Sequence, residues 1–220
     1  MQLYIYEHCR FCVRPRLVSD IKKLNLSYKI LAYDDQDTPH QLVSKKILPI
    51  LQKNQTEKML ESLDICDFLN IYDGNPIMEP SENNNTINQI FSDLESRYKY
   101  LTHPRQIFHP LNHKDFPNLS AKNYFRNKME NKMGISFEEA IINSKNYAIK
   151  VQPLLEQLDR LLNKKFISSD KFSLDDVLYF PILRELTLAS DILTFSQNIS
   201  YYMQRIYSLT NIKPYIPMVY

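Results

Sequence analysis

Apolar and polar positions change rhythm twice in the first third of the chain and then settle into one period. Leu3, Tyr4, Ile5 and Tyr6 form a short apolar, β-prone run, the pattern of a buried strand. Val13, Leu17, Val18, Ile21 and Leu24 then recur at helical spacing. Tyr28 to Tyr33 reads as a second strand, and Asp34 to Pro39 as the loop that starts a short helix carrying Gln41, Leu42 and Val43. Ile47 to Leu51 is a third apolar run and Lys58 to Leu60 a short fourth. Glu61 opens a further helix, which closes at Asp73 and Gly74 with glycine in the usual stop position. The order β-α-β-α-β-β-α implies a mixed sheet with helices on its faces. Pro49 would delete a ladder bond inside a central strand, so it is placed at the start of its strand, where a cis Leu48–Pro49 bond fits.

Residues 75–86 are polar and rich in helix breakers and read as a linker. Beyond them the pattern is helical, with almost no strand signal. Ile87, Ile90, Phe91, Leu94 and Tyr98 share one face. Residues 101–119, with three prolines and three histidines, read as an irregular connection or short helices. Residues 121–131 and 136–164 read as helices, the second broken near Pro153. Ser173 with Asp176 three residues later is a capping-box pattern before an apolar run that continues to Ile192, with a kink expected at Pro181. A last helix lies near 197–209. The expected fold class is therefore α/β plus all-α. An α/β domain with a mixed four-stranded sheet occupies 1–74, the linker 75–86 and a helical domain 87–220.

Composition narrows the class of protein rather than its chemistry. A hydrophobic content of 44% and a charged content of 24% in 220 residues fit an ordinary globular chain. Gly74 and Gly134 are its two glycines, which agrees with much helix and few tight turns. A formal net charge of +2 provides no strong field toward nucleic acid or membrane, and neither is an expected partner. No apolar run approaches the ~20 residues of a membrane span. The N-terminal residues lack the basic start and cleavage site of a signal peptide, so a cytoplasmic location is expected.

Three cysteines do not make a secreted disulfide framework. In a reducing compartment a close pair is catalytic or metal-binding rather than structural. Cys66 shares a helical stripe with Leu63 and Leu69 and reads as an inert core residue. Cys9 and Cys12 are different, because they span the turn between a buried strand and a helix start. Free N–H groups and the positive end of the helix dipole favour a thiolate there. A zinc site usually needs a second cysteine pair or suitably spaced histidines, so no metal is expected. Strand, CxxC, helix and a distant X-Pro before a strand are what a thioredoxin-like redox fold requires. His8 adjoins Cys9 and either tunes it or points away, and Lys46 reads as a solvated lysine.

The chain resembles the two-domain bacterial glutaredoxins of the glutaredoxin 2 type over nearly its full length. The resemblance is carried by Leu3 to Cys9, Thr38 and Pro39, Pro49 to Lys53, and Glu61 with Ser62. In the helical half Asp175 to Pro181 and Leu183 to Ala189 extend it, which sets the chain apart from one-domain glutaredoxins. The resemblance implies the fold of the glutathione transferases and the activity of a glutathione-dependent thiol–disulfide oxidoreductase. It further implies glutathione as co-substrate with no permanently bound cofactor, glutathionylated or disulfide-containing proteins as partners, and a monomer. Position by position, Cys9 matches the nucleophile and Cys12 the resolving thiol. Pro49 matches the cis-proline, with the backbone of Leu48 pairing the cysteinyl unit of glutathione like an added strand. Glu61 and Ser62 match the acid–serine pair that holds the γ-glutamyl end. A carboxylate beside a hydroxyl and free helix N–H groups can bind both an ammonium and a carboxylate, although the two residues could also merely start their helix.

The departure lies between the cysteines, where the usual Pro-Tyr spacer is Arg10-Phe11. Arg10 is expected to favour the Cys9 thiolate and attract the anionic tripeptide, to the extent that its charge escapes screening. Two other functions stay open. One is conjugation of glutathione to electrophiles, which needs a group, usually Ser or Tyr, that stabilises the thiolate of glutathione itself. The other is a non-catalytic iron–sulfur or glutathione-binding protein.

Overall fold

A computed structural model describes residues 1–216 of the chain. Its first layer is built around β1 (Gln2–Ile5), whose Leu3 and Ile5 are fully buried. The sheet order is β2-β1-β3-β4, with β2 (Ser27–Ile30) parallel to β1, and β3 (Ile50–Gln52) and β4 (Lys58–Met59) antiparallel. Parallel pairing of β1 and β2 requires a crossover, and α1 (Arg10–Ile21) supplies it. Tyr4 lies opposite Ile50, so the loop ahead of β3 comes down beside the end of β1. Pro49 stands just outside the ladder, as the apolar pattern requires, and the Leu48–Pro49 bond is cis. The layer is completed by α2 (Asp37–Val43) and by α3 (Ser62–Ile71), which packs on α1.

The helical half consists of α4 (Asn85–Arg97), α5 (Lys99–Gln106), α6 (Leu119–Met133), α7 (Phe137–Ile142), α8 (Ser144–Leu161), α9 (Leu174–Leu186) and α10 (Gln197–Leu209). Local chemistry starts several of them. Asn84 accepts hydrogen bonds from the N–H groups of Thr86 and Ile87 at the head of α4, and the carboxylate of Asp176 accepts one from the backbone N–H of Ser173 (2.8 Å) at the head of α9. The stretch after Leu101 holds short helices, as expected: α5 follows α4 without a loop and buries Leu101, Arg105 and Gln106, and a 3-10 turn spans Pro110–Asn112. One expectation changes. The break in the 136–164 region falls at Asn143, whose side-chain amide donates to the Glu139 carbonyl, and not at Pro153. Pro153 is exposed, so the carbonyl its ring leaves unpaired, that of exposed Ile149, is open to water and α8 continues through it.

The connection over residues 75–86 is strapped down. Asn70 accepts from the N–H groups of Ile77 and Met78, and Glu79 exchanges backbone bonds with Phe172 and Leu174. The two halves also meet directly, as α1 packs on α9. Between them lies the segment Glu7-His8. Arg184 of α9 donates to both the carbonyl (3.1 Å) and the carboxylate (2.9 Å) of Glu7, and Arg16 of α1 donates to the same carboxylate (3.0 Å). Asp115, completely buried, accepts from the backbone N–H of Glu7 (2.9 Å) and of His8 (2.8 Å) and pairs with His8 Nδ1 (2.6 Å). Among the described residues no helix is long and apolar enough to cross a membrane.

Breaking a buried ion pair leaves an uncompensated charge, which costs far more than replacing the whole pair. Arg184→Met is therefore expected to lower the unfolding free energy by about 3 kcal/mol. Urea denaturation followed by circular dichroism measures it, and an unchanged midpoint would show that the seam does not rest on this arginine.

Candidate active site

The end of β1 and the start of α1 are separated by only four residues, Tyr6 to Cys9. Cys9 is the residue capping α1, half-buried, and its carbonyl accepts from the N–H groups of Cys12 (2.9 Å) and Val13 (3.0 Å). One turn on, Cys12 is fully buried, and its sulfur accepts from the N–H of Tyr6 (3.4 Å). The chain thus leaves Cys9 half-buried and encloses Cys12, and both are free thiols.

Their surroundings separate the two thiols further. The pKa of Cys9 is lowered to about 6. The largest cause is the hydrogen bond from the Cys12 thiol; burial opposes it, and the His8 charge and the N–H groups of Cys12 and Phe11 add to the lowering. Burial pushes the Cys12 thiol well above the ordinary value, and the adjoining Cys9 pushes it further. Burial alone would keep His8 neutral, but the charge and hydrogen bond of Asp115 outweigh it and raise the pKa of the imidazole. His8 is only 5% exposed, enclosed by the rings of Tyr6, Tyr33, Phe116 and Phe125 at centroid distances of 5.0–5.5 Å. A cation held in so apolar a cage is weakly screened. His8 and Asp115 therefore favour the Cys9 thiolate from behind, a role that adjacency in sequence left open for His8 and that nothing in residues 101–119 assigned to Asp115.

A cleft of about 610 Å³ opens in front of Cys9, lined on the α/β side by Leu48, Pro49, Glu61 and Ser62. All the residues singled out in the sequence except Cys12 meet there, Arg10 included. Glu61 holds φ +61°, the left-handed region that a non-glycine residue rarely enters. It is exposed, whereas Ser62 is buried at the first position of α3 and accepts from Arg14 (3.3 Å). Lys46 is not the solvated lysine expected. Its ammonium donates to the Tyr33 carbonyl (2.7 Å) and lies 3.6 Å from the Tyr124 ring centroid, so it is pinned to the cleft wall. Arg10 is paired with Glu95 (2.5 Å) and lies over the rings of Phe11 (4.7 Å) and Tyr98 (5.6 Å). Glu95 compensates much of the charge that Arg10 brings to the mouth of the cleft. Cys66 is fully buried in α3 and burial raises its pKa, in keeping with a core residue.

Comparison with known proteins agrees with this geometry along the whole chain. The family described as "Glutathione S-transferase, N-terminal domain" matches residues 3–76, and "Glutaredoxin 2, C terminal domain" matches residues 86–218. Glutaredoxin 2 of Escherichia coli strain K12 is 31% identical over 192 residues, 87% of each chain. The crystal structure of glutaredoxin 2 from Salmonella typhimurium in complex with glutathione is 29% identical with a TM-score of 0.90, over 97% of this chain and 95% of that one. A glutathione transferase from Phanerochaete chrysosporium, 16% identical, shares the fold with a TM-score of 0.70 over 94% of this chain and 96% of that one.

A thiolate with a pKa of about 6 sets a pH profile. Alkylation of Cys9 by iodoacetamide is expected to rise through pH 6 and to level off well below pH 8, where an ordinary thiol is still climbing. His8→Phe should move the rise to higher pH, and Arg10→Pro should move it less, because Glu95 already answers the arginine. A larger shift in Arg10→Pro would make the arginine the principal charge.

Proposed function

The chain belongs to the glutaredoxin 2 family, and on that premise we propose that it reduces glutathione mixed disulfides and protein disulfides with Cys9 as nucleophile and Cys12 as resolving thiol. It is a glutathione-dependent thiol–disulfide oxidoreductase, with glutathione as co-substrate and no permanent cofactor. The observation that carries the residue assignment is the division between the two sulfurs. Cys9 is accessible, caps a helix and has a lowered pKa, while Cys12 is enclosed with a raised one.

The reaction follows from that division. The Cys9 thiolate attacks the glutathione sulfur of a mixed disulfide, the S–S bond breaks, and the departing thiolate takes a proton from solvent. Cys9 is left joined to glutathione. A second glutathione thiolate attacks the glutathione sulfur of that adduct, forming glutathione disulfide and returning the Cys9 thiolate. In the dithiol route Cys12 attacks the Cys9 sulfur instead and expels glutathione, which requires the buried thiol to lose its proton first. A low pKa serves Cys9 twice, since it raises the thiolate fraction and makes Cys9 a good leaving group.

The bound tripeptide is assigned to the α/β wall. The backbone of Leu48, ahead of cis-Pro49, offers pairing to its cysteinyl unit, and Glu61 with Ser62 takes the γ-glutamyl end. The strained backbone of Glu61 supports a binding role over simple helix initiation. Residues 1–74 form the redox domain, 75–86 the linker and 87–220 the helical domain. One chain supplies both walls of the cleft, which supports a monomer acting on glutathionylated or disulfide-containing proteins in the cytoplasm. Conjugation to electrophiles is disfavoured, because a cysteine thiolate at this position exchanges with a glutathione-containing disulfide, expelling its other thiolate, instead of stabilising the thiolate of glutathione.

Cys9→Ser is expected to abolish turnover of glutathione mixed disulfides, whereas Cys12→Ser retains it and loses reduction of protein disulfides. Loss of both reactions in Cys12→Ser would contradict the single-thiol route. Removing the Glu61 and Ser62 side chains together should raise KM for a glutathione mixed disulfide about tenfold or more, with little change in kcat. Steady-state assays of the purified variants measure both effects.

A further inference from the structure

The wall facing the glutathione-binding side comes from the helical half, and it has an unusual polar floor. Gln106, 1% exposed at the end of α5, lines the cleft with both its amide nitrogen and its amide oxygen unpartnered. Glu185, 3% exposed on α9, lines it with Oε2 unpartnered. His103 Nδ1 and the Tyr6 hydroxyl are in the same condition. Leaving such a group unpaired is costly, and native interiors contain few of them. Others are scattered through the chain, but those of Tyr6, His103, Gln106 and Glu185 line one cleft, beside Cys9.

We infer that these residues form a second subsite, which takes the peptide chain of the thiol that leaves. The inference rests on the glutaredoxin reading and adds a substrate class to it. Exchange requires the attacking, central and leaving sulfurs to lie nearly in line. When the tripeptide occupies the α/β wall, the helical wall is the part of the cleft left to contact the chain of the leaving thiol. The chemistry of that wall is mixed rather than charged. A primary amide presents a donor beside an acceptor, the complement of a peptide group. Burial raises the pKa of Glu185 to about 7, against the charges of Arg10 and His8, so much of it is a neutral carboxyl able to donate and accept. Burial lowers that of His103 to about 3, aided by His8 and Lys132, so its ring is neutral. Lys99 and Lys132 also line the cleft and supply positive charge around this neutral floor.

The test compares two substrates with the same glutathione half. One is the mixed disulfide of glutathione with a cysteine-containing tetrapeptide, the other its mixed disulfide with 2-mercaptoethanol. In ping-pong kinetics kcat/KM for the disulfide reports the first exchange alone. Gln106→Leu is expected to lower kcat/KM about tenfold for the tetrapeptide substrate and less than about twofold for the hydroxyethyl one, because only the first loses a peptide hydrogen bond. Its melting temperature should stay or rise, since an unpaired buried amide is replaced by an apolar side chain. Should Gln106→Leu not fold, Gln106→Met, unbranched and closer in shape, serves the same comparison. Equal losses with both substrates, or no loss with either, would overturn the subsite; the second is the outcome if ordered water alone satisfies these groups. Wild-type protein that reduces neither substrate would instead overturn the glutaredoxin reading.

Discussion

Asp115 and the two backbone N–H groups it holds are the contact on which the site depends. The segment from Tyr6 to Cys9 is too short to fix itself, and it carries the thiol proposed as the nucleophile. Two of its N–H groups and one imidazole nitrogen end on a single buried carboxylate from the helical half. The Tyr33 N–H ends on the carbonyl of the same residue (2.7 Å), which ties the segment after β2 to the same point. Arg184 secures the other side of the segment through Glu7. The helical half is thus more than a wall for substrate. It completes the hydrogen bonding of the redox loop, and one-sided polar groups there would otherwise be buried unpaired.

The same contact reaches the chemistry. Two thiols one helical turn apart would titrate alike in water. Here Cys9 meets helix N–H groups, a thiol donor and the His8 ring, whose protonated form Asp115 favours, whereas Cys12 meets burial and the adjoining Cys9. The two environments push in opposite directions, so a proton lost by the pair comes from Cys9. An apolar cage of Tyr33, Phe116 and Phe125 keeps water from weakening the charge behind it. Arg10, the most conspicuous departure in the motif, is compensated by Glu95 and lies over the rings of Phe11 and Tyr98 at the rim.

The fold was legible where local pattern decides the outcome. The β-α-β-α-β-β-α order, the place of Pro49 outside its ladder and the Asp176 cap on Ser173 all follow from periodicity, proline chemistry and capping. The position of the break between α7 and α8 was not, since Pro153 looks decisive in sequence and is harmless on an exposed face. Within the site, the residues carried by motifs were legible and those carried by tertiary contact were not. Asp115 stands more than a hundred positions from His8, and nothing local marks it. Gln106 and Glu185 read as ordinary helix residues until both appear buried in the same cleft. Lys46 looked solvated because its partners, a carbonyl and a distant tyrosine ring, leave no trace in sequence.

The central claim is that Cys9 takes the glutathione and does so without the thiol of Cys12. Mass spectrometry of the Cys12→Ser protein after brief exposure to glutathione disulfide tests it most directly. The account predicts one glutathionyl group per chain, located on the peptide that contains Cys9 and released by free glutathione. An adduct on Cys66, or none at all, would contradict it.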